Sequence, residues 1–227
     1  DELDMSKSLI HTILTLSLAV VPAAVFAESE PPDVSLDGLQ LVEKDRRGEI
    51  YADQGVDWSV YDQIQLERAT VSFRKNWQRD QNRMQSFKVK ASDMERIKSD
   101  LAELFDEVFT EELTGKGDYT VASESADNVM RIKPQIVDLD VYAPDTKGPG
   151  VTRSYTQQAG RMTLKLEIYD AVTGDLIATA SDRRESPRKS YYQWTTSASN
   201  QADARRMLQL WAKDLRKRLD EARSTPN

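Results

Sequence analysis

The chain has 227 residues with 38 acidic and 31 basic side chains, a formal net charge of −7, no cysteine and a single histidine, His11, inside an apolar N-terminal stretch. Beyond that stretch neither cysteine nor histidine remains, which excludes Ser-His-Asp and Cys-His nucleophiles, histidine acid–base catalysis, haem or iron–sulfur ligation through those residues, and the usual zinc sites. Carboxylate catalysis, lysine chemistry and oxygen-ligated calcium or magnesium stay open, whereas an acidic chain is a poor nucleic-acid binder, so no nucleic-acid partner and no cofactor are expected.

In chain order, Lys7, the apolar run over residues 9–21, Pro22 and the small-residue stretch 23–27 have the layout of a secretory signal peptide cut after Ala27, with its start at Met5. The run is shorter than the roughly 20 apolar residues of a membrane-spanning helix. Residues 1–27 are thus expected to be removed. Residues 28–35 would form a flexible leader, 36–223 a single domain, and 224–227 a disordered tail. Some 200 residues suffice for one packed core, and without cysteine no disulfide and no lipidated N-terminal cysteine is expected.

Residues 36–58 read as an irregular opening segment with one short strand, carried by Leu39, Leu41, Ile50 and Tyr51. Ile64 and Leu66, then Val71 and Phe73, alternate with polar residues, which predicts a half-buried strand with an irregularity at 67–69. Residues 75–90 are polar and basic and read as a long connection. Ser92-Asp93-Met94-Glu95 matches a capping box. After it Met94, Ile97, Leu101, Leu104, Phe105, Val108 and Phe109 form one apolar helical face, ended by Gly115 and Gly117.

A short strand over 119–122 precedes a long one over 128–142. In the long strand Met130, Ile132 and Ile136 share one parity and Val137, Leu139 and Val141 the other, so a bulge is expected near Ile136. A loop follows over 143–150. Met162, Leu164, Leu166 and Ile168 alternate with polar residues, and a turn over 170–175 leads into a strand over 176–181, a hairpin. After a basic and aromatic loop, Ala204, Leu208, Trp211, Leu215 and Leu219 mark a last helix. The order predicts an α+β fold, a mostly antiparallel sheet with two amphipathic helices packed on one face.

Asp37-Gly38-Leu39, Trp58-Ser59-Val60-Tyr61-Asp62, the turn Asp170-Ala171-Val172-Thr173-Gly174-Asp175 and Trp211-Ala212, in that order over residues 36–219, resemble an uncharacterised bacterial envelope family, domain of unknown function 3313. The resemblance implies an envelope location and carries no catalytic residues. Members of that family often look like lipoproteins; this chain departs from them in having no cysteine.

Two stretches stand out against the acidic background. One holds Arg74, Lys75, Trp77, Arg79, Arg83, Lys88 and Lys90; the other holds Arg183, Arg184, Arg188, Lys189, Tyr191, Tyr192 and Trp194. Cations interleaved with aromatics suit an anionic envelope polymer, a lipid headgroup or an acidic protein. The plainer alternative is solvated arginines beside aromatics packed on the sheet. Asp138 and Asp140, two apart on a strand, could serve a glycosidase or a cation, but read as solvated carboxylates. Asp170 and Asp175 read as turn formers rather than calcium ligands.

The leading expectation is an exported, periplasmic, non-catalytic protein that binds or helps assemble another envelope component, membrane-associated only through a partner. A carboxylate-dependent hydrolase of cell-wall or sugar polymers, or a homo-oligomer built through a sheet edge, are the alternatives.

Overall fold

The computed structural model describes residues 33–84, 88–144, 154–188, 190 and 193–225. The expected signal peptide, most of the leader, most of the 143–150 loop and the candidate residues Lys189, Tyr191 and Tyr192 lie outside the described residues, as does the side chain of Trp194. The strands are β1 (Gln40–Lys44), β2 (Gly48–Ala52), β3 (Gln63–Leu66), β4 (Thr70–Phe73), β5 (Thr120–Val121), β6 (Val129–Val141), β7 (Ser154–Thr156), β8 (Gly160–Asp170), β9 (Leu176–Glu185) and β10 (Gln193–Thr195). The helices are α1 (Trp77–Met84), α2 (Ala91–Thr110), which runs into a π-helical turn at Glu111–Gly115, and α3 (Ser197–Ser224).

Eight strands form one sheet in the order β1-β2-β9-β8-β6-β3-β5, with β4 also paired to β6; β7 and β10 form a separate pair. The fold is α+β and the main sheet is mostly antiparallel, as the alternation predicts. Its exceptions cluster on one side of β6, where β3 and β4 both run parallel to it. The break between these two strands at 67–69 has a partner in the sequence. Pro134 has no N–H to give a neighbouring strand, and it lies between Ile132, the last residue paired to β3, and Gln135, the first paired to β4. The proline costs no ladder bond because the chain beside it has left the sheet.

One face of the sheet carries the core. Ile132 and Ile136 of β6 and Met162, Leu164, Leu166 and Ile168 of β8 join Leu104, Phe105, Val108 and Phe109 of α2 and Leu208, Trp211, Leu215 and Leu219 of α3 in a single buried cluster. Both long helices therefore cover the same side. Phe105 and Phe109 are fully buried and stacked with centroids 3.9 Å apart.

Several sequence expectations are corrected. The opening segment makes two strands, not one; β1 lies at the sheet edge with mostly exposed side chains, so it carries no alternating pattern to read. Leader residues 33–35 are tied to it, Leu41 N–H donating to the Asp33 carbonyl and Leu39 N–H to Ser35 Oγ. The 75–90 connection contains α1, whose first residue, Trp77, is buried and donates its indole N–H to the Val141 carbonyl at 3.1 Å. Helix α2 starts one residue before the proposed cap. Ser92 lies inside the first turn and is exposed, while Asp93 accepts the Lys90 backbone N–H at 2.9 Å. The bulge expected near Ile136 is present, between Val137 and Asp140, with Asp138 at φ +53°. Finally, β9 continues to Glu185, so Arg183 and Arg184 stand on a strand and not in a loop.

Candidate functional site

The bulge decides the fate of the two strand aspartates. It places Asp138 in solvent but leaves Asp140 buried, with Oδ2 3.0 Å from Arg74 Nε and 3.2 Å from Arg161 Nη2. Asp140 is therefore not a solvated carboxylate, and the two acids do not converge. Arg74 also donates to Asp80 of α1 at 2.8 Å, which holds the Asp80 carboxyl below its ordinary range. Asp170 forms its turn as expected: its Oδ1 accepts the N–H groups of Val172 and Thr173, and Oδ2 accepts the Tyr61 hydroxyl at 2.8 Å.

Most of the basic–aromatic candidates belong to the fold. Trp77 is anchored under β6, and Phe73 stacks on it with centroids 4.2 Å apart. Arg74 serves the Asp80–Asp140 cluster, and Arg79 reaches Asp80 at 3.4 Å. Lys75 is exposed beside them. Arg188 donates to the Gln157 side chain. Arg184 is the most committed. On the core-facing side of β9 it donates to Asp182 at 2.8 Å and to Asp214 of α3 at 2.5 Å, and its guanidinium lies 5.6 Å from the Trp211 ring centroid. Trp211 Nε1 donates to the same Asp182 at 2.7 Å. The neighbouring Arg183 is exposed.

A site the sequence did not delimit forms where the end of β9 meets the β1–β2 turn and α3. One open concavity there is lined, among the described residues, by Arg46, Arg47, Lys116, Arg183, Arg184, Arg206, Lys213 and Arg216 against only Glu112 and Glu185 as charged opposites. On a chain of net charge −7 this is a pronounced local inversion. The turn that presents Arg46 is built by Asp45, which accepts the N–H groups of Arg47 and Gly48 at 2.8 and 3.0 Å and also binds the Arg47 guanidinium. The Arg47 backbone N–H, with its side chain, keeps the Asp45 carboxyl below its usual range.

Five of the eight cations have acidic partners. Arg47 sits on Asp45, Arg184 on Asp182 and Asp214, Arg206 on Asp203, and both Lys116 and Arg216 on Glu112. Burial pushes the Glu112 carboxyl up, but the Lys116 and Arg216 bonds outweigh it and hold the group low. Arg46, Arg183 and Lys213 are exposed and have no acidic partner among the described residues. Their charge is available to a ligand. Of these three only Arg183 is in a cluster that sequence reading singles out. Arg46 and Lys213 are far from it in the chain, and only the packing of β1–β2 and α3 beside β9 brings them in.

No helix among the described residues is long and apolar enough to cross a membrane. A family model described as "Protein of unknown function (DUF3313)" matches residues 31–215. No curated protein matches the sequence. Among solved structures, the chain is similar to a PelC dodecamer subunit from Paraburkholderia phytofirmans at 10% identity, over 74% of this chain and 97% of that one, with a TM-score of 0.39. It is also similar to a DUF330 protein from Xanthomonas campestris (11% identity, 72% and 86% covered, TM-score 0.40) and to a minor lipoprotein from Acinetobacter baumannii (13%, 72% and 96%, 0.33). These are distant likenesses of the backbone.

Proposed function

The chain belongs to the DUF3313 family of proteins of unknown function; we propose that it is an exported, non-catalytic envelope protein that binds another, anionic envelope component through the basic concavity. The observation that carries this reading is the set of three cations, Arg46, Arg183 and Lys213, left without acidic partners among the described residues in one concavity of an acidic chain. Unpaired exposed cations attract an anionic partner and speed its approach. The export pattern of residues 9–27 supports the location. The hydrolase alternative loses its carboxylate pair, since Asp138 and Asp140 diverge and Asp140 is held by two arginines.

The test is affinity capture from envelope extract by residues 28–227, which contain every core residue described. Parent protein is compared with the combined Arg46→Gln, Arg183→Gln and Lys213→Gln variant. Capture is expected to fall in the variant and to weaken with salt in the parent, because exposed charges are screened beyond about 8–10 Å. Equal capture by both folded proteins at low salt refutes the reading.

A further inference from the structure

The basic concavity shares a wall with a second, apolar site. A cavity of about 170 Å³ opens between α2, α3 and the ends of β6 and β8. Its wall is mostly apolar, formed by Leu101 and Leu104 of α2, Leu139 of β6, Met162 of β8 and Ala204 and Met207 of α3, with Arg96, Asp100, Asp140 and Arg161 as its charged members. Met207 lines the basic concavity as well, and Met162 is the cross-strand partner of Arg184 on that other side. Met162 and Arg184 thus stand about one strand spacing apart, roughly 5 Å, one in each wall. Leu210, 53% exposed, extends the apolar strip among the cations of the concavity.

The volume resembles that of an apolar cavity of about 150 Å³ that takes up benzene, so the space suits a group of about six carbons. Two methionines in its wall let it adjust to a flexible chain. An anionic sugar polymer or an acidic peptide would use the cations and leave the cavity without a complementary group.

We propose that the two sites together bind one anionic amphiphile, a lipid-like molecule with an alkyl chain and a phosphate or carboxylate head. The chain end enters the cavity past Met207, and the head lies against Arg46, Arg183 and Lys213. This rests on the proposed function and narrows its anionic component to one chemical class.

The experiment is calorimetric titration of residues 28–227 with decyl phosphate below its micelle concentration. Inorganic phosphate, neutral decyl maltoside, dextran sulfate and anionic phospholipid vesicles are the other arms. Decyl phosphate is expected to bind one per chain and far more tightly than inorganic phosphate. Ala204→Leu, which fills the cavity from α3, should weaken it about tenfold, the effect of excluding about two methylenes from apolar surroundings. The combined Arg46, Arg183 and Lys213 variant should weaken decyl phosphate and leave decyl maltoside unchanged. A series from octyl to dodecyl phosphate on the unaltered protein needs no variant to fold, and affinity should rise with length until the cavity is full.

Affinity independent of chain length, or unchanged by Ala204→Leu in a folded protein, overturns the proposal. Binding of dextran sulfate without decyl phosphate overturns the amphiphile and leaves the functional reading standing. Binding to vesicles but not to monomeric decyl phosphate marks a flat membrane contact and overturns the one-molecule site. No binding in any arm, together with equal envelope capture by parent and variant, removes both.

Discussion

Arg183 and Arg184 are adjacent in sequence, chemically identical, and separated by the alternation of a strand. Truncating each to alanine measures what that alternation does. Arg184 is nearly buried, donates to Asp182 and Asp214, and covers Trp211. Removing one member of a fully buried ion pair costs about 3–5 kcal/mol. Here the survivors keep 25% and 51% of their side-chain exposure, and Asp182 retains the Trp211 indole N–H, so solvent softens the loss to about 2 kcal/mol. The guanidinium over Trp211 adds about 0.5–1 kcal/mol. Arg184→Ala should therefore cost about 2–3 kcal/mol. Arg183→Ala should stay within about ±0.5 kcal/mol, as exposed substitutions do. Urea melts of residues 28–227 with a shared m-value give both numbers. Equal losses, or a larger loss for Arg183, would mean that β9 is out of register. The arginine assigned to the ligand would then be the wrong one.

In the core, Phe105→Ala should cost about 3–5 kcal/mol, Asp93→Ala about 1 kcal/mol through the lost Lys90 N–H bond, and Ser92→Ala almost nothing; denaturant melts that put Ser92 above Asp93 would restore the capping box as first read. Gly48→Ala should be strongly destabilising, by more than about 2 kcal/mol, because a Cβ there runs into the Ser181 backbone carbonyl of the paired strand. A thermal melt unchanged by that substitution contradicts the β2–β9 pairing. Acid should weaken the fold. Arg218, Arg74 and Arg205 hold the carboxyls of Glu43, Asp80 and Glu107 below their unfolded values, so the stability they contribute is present above about pH 4–4.5 and lost as pH falls through their folded values. Burial raises Asp106, which has the opposite sign, but it is one group against several. A urea midpoint that holds or rises between about pH 5 and pH 3 refutes this sum. Mass spectrometry of protein from its native host should find Glu28 or a close neighbour at the N-terminus; a Met5 terminus on most molecules would remove the export argument.

How far the fold is legible in the sequence depends on whether an element buries one face. Helix α2, the β8–β9 hairpin and α3 do so, and their periodicity shows in Phe105, Leu164 and Trp211. Helix α1 and strand β1 do not. The eight residues of α1 are polar apart from Trp77 and Met84, and β1 buries almost nothing, so neither gives an apolar run long enough to read. The bulge in β6 is a middle case. The change of parity announces that an extra residue exists, but Ile136 and Leu139 both end on the core face, and only the left-handed Asp138 marks where the phase turns. Asp tolerates that conformation better than most side chains do, which is the one local signal for the true position.

The site is harder to read because charge, unlike apolar periodicity, says nothing about partners distant in the chain. A run such as Arg183-Arg184 looks uniform, yet one residue joins an Asp182–Trp211–Asp214 cluster while the other has no acidic partner among the described residues. A density of cations along the sequence therefore overstates what is available, and it misses Arg46, interleaved with Glu43, Asp45 and Glu49, and Lys213, beside Asp214 and apolar residues. What separates them is subtraction: every cation whose carboxylate partner lies within ion-pair reach is already spent on the fold. Applied to the concavity, that leaves three charges around an exposed leucine and beside an apolar cavity. Neither a purely structural role nor a purely electrostatic one uses both surfaces, whereas a ligand with a charged head and an apolar chain uses each for what it is.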